Sequence, residues 1–71
     1  MKEVWIRDDF IKLGQAMKLA GVVGSGLDAK MSILDEEVLV NGEVCIQRGK
    51  KLTEGDTFTF GNESFRICRK G

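Results

Sequence analysis

The hydrophobic pattern changes period once along the chain, and the change divides it into a helical half and a strand-rich half. Val4-Trp5-Ile6 is a β-branched and aromatic run, and it stops at Asp8 and Asp9, both good helix N-caps. It predicts a short first strand. From Phe10 the apolar residues Phe10, Leu13, Met17 and Ala20 recur at steps of three and four, with Lys12, Gln15 and Lys18 between them. That spacing predicts an amphipathic helix, and Gly21 stands where a C′ glycine ends one. After Val22-Val23-Gly24, Ser25 and Asp28 form an S-x-x-D start, a capping box with a shortened acid. Leu27, Met31, Leu34 and Val38 then carry the stripe of a second helix, so the first half reads as a compact helix pair.

Beyond residue 37 the period is two. Val38-Leu39-Val40 is followed by Asn41-Gly42, a strong two-residue hairpin signal because both central positions of a type I′ turn need positive φ. The strand Val44-Cys45-Ile46 follows. A direct two-residue turn pairs Leu39 with Val44 and Val38 with Cys45, which puts apolar residues on both faces. Either the hairpin is covered on both sides or a bulge shifts its register. Glu54-Gly55-Asp56 reads as a turn, Thr57 to Phe60 as a strand with Phe58 and Phe60 inward, and Gly61 to Ser64 as a reversal. The last strand carries Phe65 and Ile67 on one side and Arg66 and Cys68 on the other. The fold class is α+β, with two short helices packed on a small antiparallel sheet of three to five strands.

At 71 residues the chain has room for one thin core, so it is expected to be a single domain over 1–71 with Trp5 packed inside it. It contains no His, which removes the commonest general base near neutral pH, the commonest zinc ligand and every imidazole triad. Cys45 and Cys68 are too few and too far apart for a zinc shell, and read as free thiols of a reducing compartment, serving as small buried apolar residues. No cofactor or metal is implied. No carboxylate sits in a setting that suggests a nucleophile with its base, so an enzyme is not expected. The chain shows no signal-peptide pattern and no long apolar run, which points to the cytoplasm and away from membranes.

Eleven Lys and Arg balance eleven Asp and Glu, and a net charge of zero argues against binding nucleic acid through the overall field. The balance conceals segregation. Residues 31 to 47 hold Asp35, Glu36, Glu37 and Glu43 and no basic residue, whereas Arg48-Gly49-Lys50-Lys51 places three cations within four positions. Lys18 lies on the polar side of the first helix and Lys30 one turn into the second. The second helix opens on Gly24-Ser25-Gly26, leaving its first amides uncluttered and suited to an anion. Read singly, each of these is more simply a solvated surface feature or a tight turn.

In order, K-L-A-G-V-V, S-G-x-x-A-K, V-x-V-N-G-E-V and R-G-K-K-L-x-x-G-D resemble the RNA-binding domain named after small-subunit ribosomal protein S-four, also called the alpha-L motif. The nearest likeness is to its small free-standing bacterial members, and the motif core covers about residues 10 to 60. The resemblance implies a monomer that grips the backbone of structured RNA, ribosomal RNA first, with ribosomal proteins as further partners. Carried over residue by residue, the RNA-binding positions are Lys18, Ser25, Gly26, Lys30, Arg48, Lys50 and Lys51. Dispersed cations and amides suit recognition by shape and backbone contact. Three departures stand out: Gly26 where the broader family often has Arg, Met31 where it is often basic, and Asp35-Glu36-Glu37 where a glycine usually ends the helix. Two other readings remain. An acidic edge from Asp35 to Glu43 could dock a basic protein. A sulfur carrier shares V-N-G-E and G-D, but it needs a C-terminal Gly-Gly and this chain ends Arg69-Lys70-Gly71.

Overall fold

The computed structural model describes residues 1–70. The chain runs through β1 (Lys2–Ile6), β2 (Ile11–Lys12), α1 (Leu13–Leu19), α2 (Gly26–Leu34), β3 (Val38–Val40), β4 (Glu43–Val44), β5 (Lys51–Leu52), β6 (Thr57–Phe60) and β7 (Glu63–Arg69). Five strands form one sheet in the order β1-β7-β6-β3-β4, and β2 and β5 form a separate two-stranded ladder. The expected α+β class holds, but the sheet is mixed. β1 lies parallel to β7, with Val4 beside Ile67, because the whole helix pair and hairpin region intervenes as a crossover.

One face of the sheet carries the core. Alternation puts Val4 and Ile6 of β1, Val38 and Val40 of β3, Phe58 of β6, and Phe65 and Ile67 of β7 on that face, all buried. Phe58 and Phe65 are cross-strand partners whose rings stack with centroids 4.9 Å apart. Leu13, Ala16 and Met17 of α1 and Ala29 and Ile33 of α2 complete the same cluster. Trp5 does not. Its neighbours Val4 and Ile6 take the core face, so Trp5 falls on the other side, about half exposed and opposite Cys68. Both cysteines are free thiols, Cys68 buried and Cys45 half-buried.

The first helix begins later than its periodicity suggests. Ile11 and Lys12 are extended and pair with Leu52 and Lys51, so α1 starts at Leu13, Phe10 stays outside it, and Asp8 and Asp9 cap nothing. The residue at the N-cap is Lys12, whose side chain makes no capping bond. Instead Leu13 N–H donates to Lys50 O at 2.8 Å and Gly14 N–H to Arg48 O at 3.1 Å. Backbone carbonyls of a distant loop thus satisfy amides that a helix start leaves open. At the other end Gly21, at φ +78°, donates to Lys18 O and Val22 N–H to Met17 O, a Schellman stop.

The cap of α2 is as expected, with Ser25 Oγ accepting from Asp28 N–H at 3.1 Å. Its buried face is not. Ala29 and Ile33 face the core, whereas Leu27, Met31 and Leu34 are each more than half exposed. At 100° per residue these two sets lie on nearly opposite sides of the helix, and only one can meet α1. Small Ala29 is the side that permits a close approach.

α2 also ends in a Schellman motif, with Glu36 N–H donating to Ile33 O and Glu37 N–H to Ser32 O. Here the left-handed position, φ +61°, is occupied by Glu36 rather than glycine. A non-glycine residue there costs about 1–2 kcal/mol, and glycine's greater chain entropy returns part of it. Glu36→Gly is therefore expected to raise stability by roughly 0.5–1 kcal/mol, or about 3–6 °C in Tm for a domain this size. Thermal denaturation checks this, and a Tm no higher than wild type would count against a strained Glu36.

The β3–β4 hairpin has the direct register. Leu39 faces Val44 and Val40 faces Glu43 across Asn41 (φ +51°) and Gly42 (φ +86°). No bulge intervenes, and the second face is left largely open, with Leu39 half-buried and Val44 exposed. The strand is shorter than its sequence implies. The ladder closes at Cys45, whose N–H donates to Val38 O at 3.0 Å as the direct register requires, with Cys45 packed against the core and Ile46 turned to solvent. Gly61-Asn62 alone makes the last reversal, since Phe60 already pairs with Glu63. Phe60 is only half-buried beside fully buried Phe58. No helix among the described residues is long and apolar enough to cross a membrane.

Candidate functional site

The Arg48–Lys51 loop is fixed where it meets α1. Besides the two amide-to-carbonyl bonds, Gly14 allows the closest approach: a Cβ at that position would lie 2.8 Å from Arg48 Cγ. Glycine at 14 is thus the local reason that the Arg48 side chain can cross the helix start. The β2–β5 ladder adds Lys12 directly opposite Lys51, with Leu52 of the same ladder buried beneath. Facing like charges are unfavourable unless an anion lies between or near them.

These contacts frame an open depression of about 340 Å³ between the first turns of the two helices and the loop. Lys12, Lys18 and Arg48 line it, with Gln15 and the glycines Gly14, Gly26 and Gly49, and among the described residues no carboxylate does. A Cβ at Gly26 would meet nothing within 4 Å, so the approach to the start of α2 is open. The acids Asp35, Glu36 and Glu37 lie past the far end of α2, about 12 Å along the helix from Gly26 at 1.5 Å per residue. That separation keeps these three acids off the depression, although Asp28 stands in the first turn of α2.

Ion pairing sharpens the contrast. Among the described residues the salt bridges join Lys2 to Glu63, Arg66 to Glu3 and Arg69 to Asp9, all on or beside β1 and β7. None of Lys12, Lys18, Lys30, Arg48, Lys50 or Lys51 takes part in one. Lys51, the ladder partner of Lys12, instead holds its ammonium 4.7 Å from the centroid of the Phe10 ring, a cation–π contact.

Of the residues singled out from sequence, Lys18, Gly26 and Arg48 line the depression, and Lys51 lies opposite Lys12, which lines it too. Ser25 Oγ accepts from Asp28 N–H at the α2 cap and does not line the depression, while its O–H is left able to donate. Lys30 is exposed farther along α2. Lys50 lines a different hollow, with Asn41 and Glu43 beside the β3–β4 hairpin. There its charge helps to hold the Asp56 carboxyl below its ordinary range, though the main cause is the Thr53 N–H, which donates to Asp56 Oδ2 at 2.7 Å. Lys12 was not singled out. The signal for it is the β2–β5 ladder, a pairing across some 40 residues of sequence that no local pattern reveals.

Two further motif residues have a structural role. Asn41 Nδ2 donates to Asp56 Oδ1, and Asn41 Oδ1 accepts from Thr57 N–H at 2.9 Å. The V-N-G and G-D motifs are thereby one hydrogen-bonded joint that closes the hairpin onto the turn before β6.

A capped helix pair on one face of a mixed sheet, a V-N-G hairpin tied to a G-D turn, and a basic loop locked to the first helix together describe an S4 domain. The S4 domain family model matches residues 4–68, and the chain belongs to that family, whose members generally bind RNA. The chain is similar to the probable ribosome maturation protein RlbA of Bacillus subtilis (strain 168). The two are 44% identical over 63 residues, which span 87% of this chain and 89% of that protein.

Proposed function

We propose that the chain acts as one non-catalytic RNA-binding domain in the bacterial cytoplasm, gripping the backbone of structured RNA, ribosomal RNA first, during ribosome maturation. The observation that carries this reading is the convergence of unpaired Lys12, Lys18 and Arg48 on a depression open to the first amides of α2. Phosphates bridge these cations, Lys51 adds a fourth, and Lys30 and Lys50 flank the contact. Such a surface recognises shape and backbone rather than base sequence.

With about four phosphates neutralised, the log–log dependence of affinity on salt should have a slope of about −3. Titration of ribosomal RNA fragments at several salt concentrations measures it. No binding at low salt, or binding indifferent to salt, would remove the proposal. A second reading draws on the outward stripe of Leu27, Met31 and Leu34 beside Asp28 and Asp35, an apolar strip with an acidic margin suited to a basic protein. Crosslinking in cells separates the two. Recovery of RNA joined to the α1–loop surface supports the first, and protein alone joined to α2 replaces it with the second.

A further inference from the structure

We infer that a second hollow, beside the basic depression, takes an unpaired nucleobase of the bound RNA, stacked on Phe10; the inference rests on the RNA-binding reading above. The hollow is about 460 Å³, with Phe10, Ile11 and Leu19 as apolar walls and Asp8, Gln15 and Lys18 as polar ones. Gln15 and Lys18 also line the basic depression, so the two are continuous over one turn of α1. Phe10 and Leu19 are exposed, and neither joins the core cluster.

Two features select a base. Lys51 lies against the Phe10 ring, so an aromatic platform and a cation of the proposed phosphate surface are one unit. A nucleotide has that same pairing of a flat π-surface and a phosphate, and stacking on aromatic side chains is how unstacked bases are held. The rim offers the Asp8 carboxylate as acceptor and the Gln15 amide as donor and acceptor, able to meet the amino and carbonyl edges of a base. Bases within an A-form stem are paired and stacked inward. The hollow therefore selects a bulge, loop or strand end next to the gripped stem.

The test compares two RNA hairpins that differ by one bulged 2-aminopurine in the stem, titrated with wild type, Phe10→Leu and Phe10→Trp. Wild type is expected to bind the bulged stem about tenfold more tightly than the paired one, with the fluorescence of the 2-aminopurine quenched on binding. Phe10→Leu keeps apolar bulk without a π-face. It should lose the preference and the quenching while binding the paired stem within about fivefold of wild type, the share of the lost Lys51 contact, and with the same salt slope, and Phe10→Trp should retain all four. Equal wild-type affinity for the two stems, or a preference that survives in Phe10→Leu, overturns the nucleobase site and leaves the backbone grip standing. Failure of both stems to bind wild type at low salt overturns both.

Discussion

Replacing Lys12, Lys18 and Arg48 together by Gln is expected to weaken binding of structured RNA roughly a hundredfold at low salt while leaving the fold intact. A charged hydrogen bond inside a protein contributes about 1.5–3 kcal/mol, and an exposed ion pair up to about 1. Contacts at the mouth of an open depression belong near the lower figure. Three at about 1 kcal/mol each give the hundredfold. The salt slope should flatten from about −3 to about −1, because one of some four neutralised phosphates remains. The fold should tolerate the change because all three side chains are exposed and unpaired, and exposed substitutions of this kind move stability by about 0.5 kcal/mol or less. Removing Lys12 also relieves its like-charge pairing with Lys51. Matched charge removals at Lys2, Arg66 and Arg69 are the control, since these cations are already engaged by carboxylates. If the control triple weakens binding as much as the first, attraction is diffuse and the depression has no special role.

How far this surface could be read from the chain follows from which contacts are local. Ser25, Gly21 and Asn41-Gly42 announce themselves because a cap, a helix stop and a tight turn are each decided within a few residues. The Arg48–Lys51 cluster is legible for the same reason. The start of α1 is not, because two residues of apparent helix are captured by a strand some 40 positions away, and the same capture brings in Lys12. Nor could the sequence decide which apolar stripe of α2 turns inward. Leu27-Met31-Leu34 is the larger, but Ala29 and Ile33 fit against α1, so packing overrides the hydrophobic count. Trp5 is a third case: a two-residue period allows either face, and the register with β7 makes the choice. The resemblance to the S-four type domain pointed to the right family. It did not separate Lys18, Gly26 and Arg48, which line one depression, from Lys30 and Lys50, which lie outside it.

Asn41→Ala is expected to produce the largest loss of stability of any exposed substitution considered, about 2–3 kcal/mol. Alanine at φ +51° incurs about 1 kcal/mol that Asn largely avoids, and the change removes the bonds to Asp56 and Thr57, each contributing about 1. A 71-residue domain has roughly 4–10 kcal/mol in total, so the melting temperature should fall by about 10–20 °C. Asn41→Gly separates the causes, since glycine accepts the turn but makes neither bond, and it should lose about two-thirds as much. Acid titration gives an independent reading. In the folded chain the Asp56 carboxyl lies below its ordinary value of 3.8, chiefly through the Thr53 amide, with Asn41, the Thr53 hydroxyl and Lys50 adding to it against the opposing effect of burial. A depressed folded pKa contributes stability that is present above the unfolded value and is lost as pH falls through the folded one. Wild type should therefore weaken as pH drops below about 4, and Asn41→Ala, which removes one of the stabilising partners of the carboxylate, should weaken less steeply over the same interval. Equal slopes would mean that the Asn41–Asp56 bond does not hold the carboxylate. Because this joint lies on the hairpin side and the cations on the α1 side, Asn41→Ala should still bind RNA with the wild-type salt slope below its lowered melting temperature, the reverse of what the triple charge variant should show.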